Sequence, residues 1–131
     1  MNYKVFKKEL ESYQSLLDDL KRIDEQIKVL EYKFENVKAI QYDKQPGTMN
    51  ESAIEEKRLE MIDRISSKME DYQSVMRKIK AIDDDIALLS HDSQYICNLS
   101  KKGKSYEQIG KELGYSKVGI YLKIKSEVEK I

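Results

Sequence analysis

Over the first forty residues the apolar positions alternate by three and four. Tyr3, Phe6, Leu10, Tyr13, Leu17, Leu20, Ile27, Leu30, Phe34 and Val37 form one seam, with Asp24 in a charged slot and Ile23 beside it. This repeat predicts a coiled-coil helix from Asn2 to about Tyr42, sustained over about five heptads. At about 1.5 Å per residue such a helix is roughly 60 Å long and needs a partner. The pattern breaks at Asp43–Asn50, DKQPGTMN, where Pro46-Gly47 signals a turn. Asn50 or Ser52 can cap a second helix, and Ser52 with Glu55 forms a capping-box pattern. Then Ile62, Ile65, Met69, Tyr72, Met76, Ile79 and Ile86 resume the alternation, with Asp83 breaking a slot beside Ile82. This second helix, over Glu51–Leu89, is nearly as long as the first, which predicts an antiparallel hairpin.

Beyond the hairpin the predicted helices are shorter. Ser90-His91-Asp92-Ser93 offers helix caps, and Asp92 to about Lys101 predicts a short helix with Tyr95, Ile96 and Leu99 inward, closed by Gly103. Ser105 to Ile131 then reads as a helix-turn-helix. Ser105 and Gln108 make a capping box, and Ile109 and Leu113 share one side of a helix over Tyr106–Leu113. Gly110 predicts the close crossing of a second helix, and Gly114 the left-handed residue that ends the first. Ser116 caps the second helix, whose inward arc is Ile120, Ile124, Val128 and Ile131. The expected fold is all-α: a long antiparallel coiled-coil hairpin over 1–90, then a three-helix head over 91–131.

Charge adds to this picture. The chain is balanced, with 24 basic and 24 acidic residues. Residues 101–131, however, hold eight Lys against four Glu, so positive charge gathers beside the helix-turn-helix. A helix-turn-helix places its second helix in a DNA major groove, with that helix's N-terminal residues at base edges. The outward positions early in the second helix are Lys117, Val118, Tyr121, Leu122 and Lys125. Lys117 and Lys125 can contact phosphate or guanine, and Tyr121 a phosphate. Val118 and Leu122 can touch thymine methyls, or form a protein interface instead. Lys104, Ser105, Ser116 and Lys123 complete the candidate set. The motif contains no Arg, the commonest guanine reader, so a modest, salt-sensitive affinity for double-stranded DNA is expected.

Enzyme constellations are missing from the sequence: no glycine-rich phosphate loop, no HExxH, no CxxC. Asp83-Asp84-Asp85 would diverge by about 100° per residue on a helix, which predicts a solvated face. The sole histidine, His91, has no metal-ligand partner at the right spacing, so neither cofactor nor metal is expected. Cys97, the single cysteine, reads as a small buried hydrophobe in a reducing cytoplasm. No apolar run is long enough for a signal peptide or a membrane span. Leu16, Ile23, Ile40, Ile54, Leu59, Val75 and Leu88 lie beside the two seams and widen them. A two-helix hairpin cannot cover so wide a stripe, which predicts homodimerisation or packing on a partner protein.

The run SYEQIGKELGYSKVGIY resembles the helix-turn-helix of sigma-70 region 4. Ser105, Tyr106, Ile109, Leu113, Gly114 and Ser116 match that pattern, with Gly110 in place of its Ala. The layout, a long coiled coil followed by this head, looks like that of the phage-encoded late transcription regulators of the RinA and ArpU type. VKAIQYDKQPG also resembles the end of the first helix and the loop in some of them. The resemblance implies a phage or prophage protein that binds near a promoter, activates late genes and contacts RNA polymerase. Two rival readings stand beside it: a coiled-coil interaction protein that never binds DNA, and a phage DNA-packaging recognition subunit.

Overall fold

The computed structural model describes the backbone of residues 1–42 and 51–131, and the side chains of 1–37 and 51–131. The turn at Pro46-Gly47, the cap at Asn50 and the flanking role of Ile40 lie outside the described residues. Five helices run in order: α1 (Tyr3–Tyr42), α2 (Glu51–Ala87), α3 (His91–Lys101), α4 (Tyr106–Leu113) and α5 (Lys117–Glu129). The fold is all-α, and α1 and α2 pack together as a helical hairpin. None of the helices is long and apolar enough to cross a membrane, among the described residues.

The chain forms two compact units, and their division does not fall at residue 90. One unit joins residues 1–18 to 77–131; the other is 19–76. The reason is packing. Tyr3, Phe6 and Leu10 of α1 and Ile82 and Ile86 of α2 belong to the same buried cluster as Ile96, Ile109, Ile120, Ile124 and Val128 of the last three helices. Phe6 and Leu10 are 1% exposed, and Ile109, Ile120, Ile124 and Val128 are wholly buried. Full burial of one such side chain stabilises by about 1.5–3 kcal/mol. The three C-terminal helices therefore share a core with the ends of the long ones.

Polar contacts knit the same unit. Tyr3 Oη donates to Tyr106 Oη at 2.9 Å inside the core, and burial raises the pKa of both hydroxyls. Tyr121 stands edge-on to Tyr3, ring centroids 5.3 Å apart. Lys7 Nζ lies 3.6 Å from the centre of the Tyr106 ring, and burial lowers its pKa. Asp83, with its side chain still 44% exposed, pairs with Lys101 and accepts from Tyr13 Oη at 3.2 Å. Asp84, in contrast, is exposed and pairs with Lys80 at 3.1 Å.

In the second unit the helices meet with a phase that differs from the periodicity reading. Ile54 and Met61 are buried, with Val37, in a small cluster lined by Phe34. The inward line on α2 continues through Ile65, Tyr72 and Val75, all half-buried. Arg58 and Lys68 hold two slots of that heptad, and the Arg58 guanidinium sits 5.9 Å from the Phe34 ring centre. Ile62, Met69 and Met76 are exposed instead. On α1, Ile23 is buried in this unit; in the other unit Leu16 packs against the main core while its neighbour Leu17 is exposed.

Candidate nucleic-acid interface

Local chemistry shapes the helix-turn-helix as expected. Ser105 Oγ accepts from the Gln108 N–H at 3.2 Å, and Gln108 Oε1 accepts from the Ser105 N–H at 2.9 Å, closing the capping box. Gly114 ends α4 with φ 79°, in the left-handed region. Ser116 Oγ accepts from the Gly119 N–H at 2.9 Å and starts α5. Gly110 is needed for a different reason from the one inferred. A Cβ there would lie 2.4 Å from the Tyr115 carbonyl oxygen, so the close neighbour is the turn's own backbone. The Tyr115 N–H donates to the Gly110 carbonyl at 2.9 Å, which holds the turn against α4.

The inward arc of α5 is Ile120, Ile124 and Val128; Ile131 lies past the helix and is exposed. Away from that arc, Val118 and Leu122 are 62% and 56% exposed, and Lys117, one turn before Ile120 on the arc's own side, is exposed as the first residue of the helix. Tyr115, in the turn, is half-exposed beside them in sequence. These residues form the accessible start of the second helix. The remaining candidates have other attachments. Tyr121 is half-buried against Tyr3 rather than turned fully outward. Lys125 Nζ lies 5.6 Å from the Tyr121 ring centre, and its hydrogen bond with Tyr121 raises its pKa. Lys123 pairs with Glu127 at 3.6 Å, and Lys104 pairs with Glu112. Ser105 and Ser116 spend their hydroxyl acceptors on helix caps.

Of the eight Lys in 101–131, four have carboxylate partners: Lys101, Lys104, Lys111 and Lys123. Lys102, Lys117, Lys125 and Lys130 have none within ion-pair distance among the described residues. Lys117 opens α5, whose first turn holds no acidic residue. A helix start is already electropositive, so a cation there draws anions rather than satisfying the helix dipole.

Sequence reading missed Glu127. Its carboxylate accepts from the Ser90 N–H at 2.8 Å and from Ser93 Oγ, fastening α5 to the corner between α2 and α3. Burial alone would raise its pKa, but the Ser93 and Ser90 hydrogen bonds and the Lys123 ammonium hold it below the usual value. Ser93 is fully buried at this contact. The inward side of α3 is Ser93, Ile96, Cys97, Leu99 and Ser100. Tyr95 is exposed, against expectation. Cys97 is buried, as read from the sequence, and burial pushes its thiol pKa up to about 12. No group of His, Cys, Asp and Glu able to hold a metal occurs among the described residues. Comparison with protein-family models, with curated proteins and with solved structures finds no match.

Proposed function

We propose that this chain is a DNA-binding transcription regulator that inserts the start of α5 into the major groove. The observation that carries the reading is the closed helix-turn-helix with Lys117, Val118 and Leu122 left exposed at the start of its second helix. Lys117 and Lys125 serve phosphate or guanine, and Lys102 adds phosphate attraction. Val118 and Leu122 supply apolar contact to thymine methyls. Tyr121 acts through its packing on Tyr3 and its contact with Lys125, which set the position of the Lys125 ammonium. Self-association through the hairpin supplies the second half-site that one small head lacks. The resemblance to phage late regulators makes a promoter region the natural target, a phage or prophage genome its source, RNA polymerase a second partner and the cytoplasm its location.

The test is selection of bound fragments from host and phage genomic DNA at two salt concentrations, with the Lys117→Ala/Lys125→Ala double mutant alongside. Enrichment of one or a few upstream regions, lost in the mutant, is the expected result. Recovery that is uniform across sequences would reduce the function to phosphate binding without readout. No recovery at either salt would overturn the reading.

A further inference from the structure

Positive charge gathers in two stretches of the chain. Residues 1–8 hold three Lys and no acidic residue, and residues 101–131 hold eight Lys and four Glu; residues 9–100 hold 13 basic and 20 acidic side chains. The fold brings the two basic stretches together, since both belong to the unit of residues 1–18 and 77–131. The joint is built at Tyr3. Its hydroxyl donates to that of Tyr106, the first residue of α4, at 2.9 Å. Its ring meets that of Tyr121 in α5 edge-on, centroids 5.3 Å apart. The start of α1 therefore touches both helices of the helix-turn-helix.

Lys7 shows which side of α1 faces α4: its Nζ lies 3.6 Å from the centre of the Tyr106 ring. Lys4 and Lys8, four residues apart, share the exposed face next to it. Neither has a carboxylate within ion-pair distance among the described residues. The acidic groups around them are engaged. Glu11, one turn beyond Lys8 on that face, pairs with Lys7 at 4.0 Å. On α4, Glu107 pairs with Lys111 at 3.8 Å, and Glu112 pairs with Lys104. Glu9 lies on the other flank of α1, where burial and Asp85 of α2 raise its pKa. The charge left over beside the start of α4 is positive. In a docked helix-turn-helix the second helix enters the groove while the first crosses the phosphate backbone. We propose that the start of α1 is part of the DNA-binding surface, with Lys4 and Lys8 holding phosphates of the strand that α4 crosses. Such contacts add affinity and fix orientation without reading sequence. This inference rests on the proposed function and extends its surface to a segment that the sequence places far from the head.

The test reads the affinity of the full chain for two double-stranded DNA fragments of unrelated sequence across a series of salt concentrations. Lys4→Ala/Lys8→Ala should bind both fragments about tenfold or more weakly at about 0.1 M salt, by the same factor on each. The slope of log K against log salt should become shallower by about two. The melting temperature should match that of the wild type, because both side chains are exposed. Lys21→Ala/Lys33→Ala removes the same charge from exposed positions in the unit of residues 19–76, and should leave affinity and slope as in the wild type. A wild-type slope in Lys4→Ala/Lys8→Ala, or an equal loss in both double mutants, would overturn the proposal and leave the reading of α5 standing. No binding by the wild type at low salt would overturn both.

Discussion

The two compact units use the same residue types at the same spacing and reach different states of burial. In the unit of residues 1–18 and 77–131, Phe6, Leu10, Ile120 and Ile124 are at most 1% exposed. In the unit of residues 19–76, Ile62 and Met69 are over 40% exposed, and only Ile23, Val37, Ile54 and Met61 are buried among the described apolar residues. Five helices contribute to the first core, whereas two contribute to the second. A pair of helices encloses one narrow line of side chains, and any wider stripe stays wet. Periodicity shows that a face is apolar; the number of neighbouring elements decides whether it is buried.

Substitutions can break this contrast. Phe6→Ala should be the most damaging, costing about 3–5 kcal/mol in urea unfolding because a fully enclosed ring leaves a cavity. Ile62→Ala, a cut of comparable kind in the other unit, should change unfolding of the monomer by about 0.5 kcal/mol or less. Equal costs at the two positions would refute the difference in packing. Gly110→Ala should cost about 1–3 kcal/mol, since its Cβ would press on backbone at 2.4 Å. Ser105→Ala should cost about 1 kcal/mol through loss of the α4 cap.

The smallest effect is one of pH. The folded pKa of Glu127 lies below its usual value of 4.5. Its contribution to stability is therefore present above that value and lost as pH falls through the lower, folded pKa. Melting temperatures taken from about pH 7 to about pH 3 should show a smaller acid loss in Glu127→Gln than in the wild type.

The helix-turn-helix was legible because its signals are local. Ser105 and Gln108 stand three residues apart, and the Gly114 and Ser116 turn signals lie within the same short run. The hairpin's existence was legible in the same way, but the phase of α2 was not. Ile65, Tyr72 and Ile79 fit both possible seams, and Arg58 and Lys68 occupy slots of the true one, which makes the exposed line look the more apolar. Contacts between residues far apart in sequence left no local trace. Tyr3 and Tyr106 are separated by 103 positions, and the Glu127 contact to Ser90 spans 37. Those contacts decide that the head includes the ends of α1 and α2, and they draw Tyr121 and Lys123 away from the candidate surface.

The proposed function stands or falls on Lys117, at the exposed start of α5, and Lys125, two turns further on, meeting DNA phosphate or base edges. The most direct measurement is the affinity of the full chain for a double-stranded fragment across a series of salt concentrations, for wild type and Lys117→Ala/Lys125→Ala. The wild type should bind at low salt, with log K falling linearly in log salt. The double mutant should bind more weakly, with a slope shallower by about two, at an unchanged melting temperature. Equal affinity and equal slope for the two proteins, or no binding by the wild type at low salt, would contradict the claim.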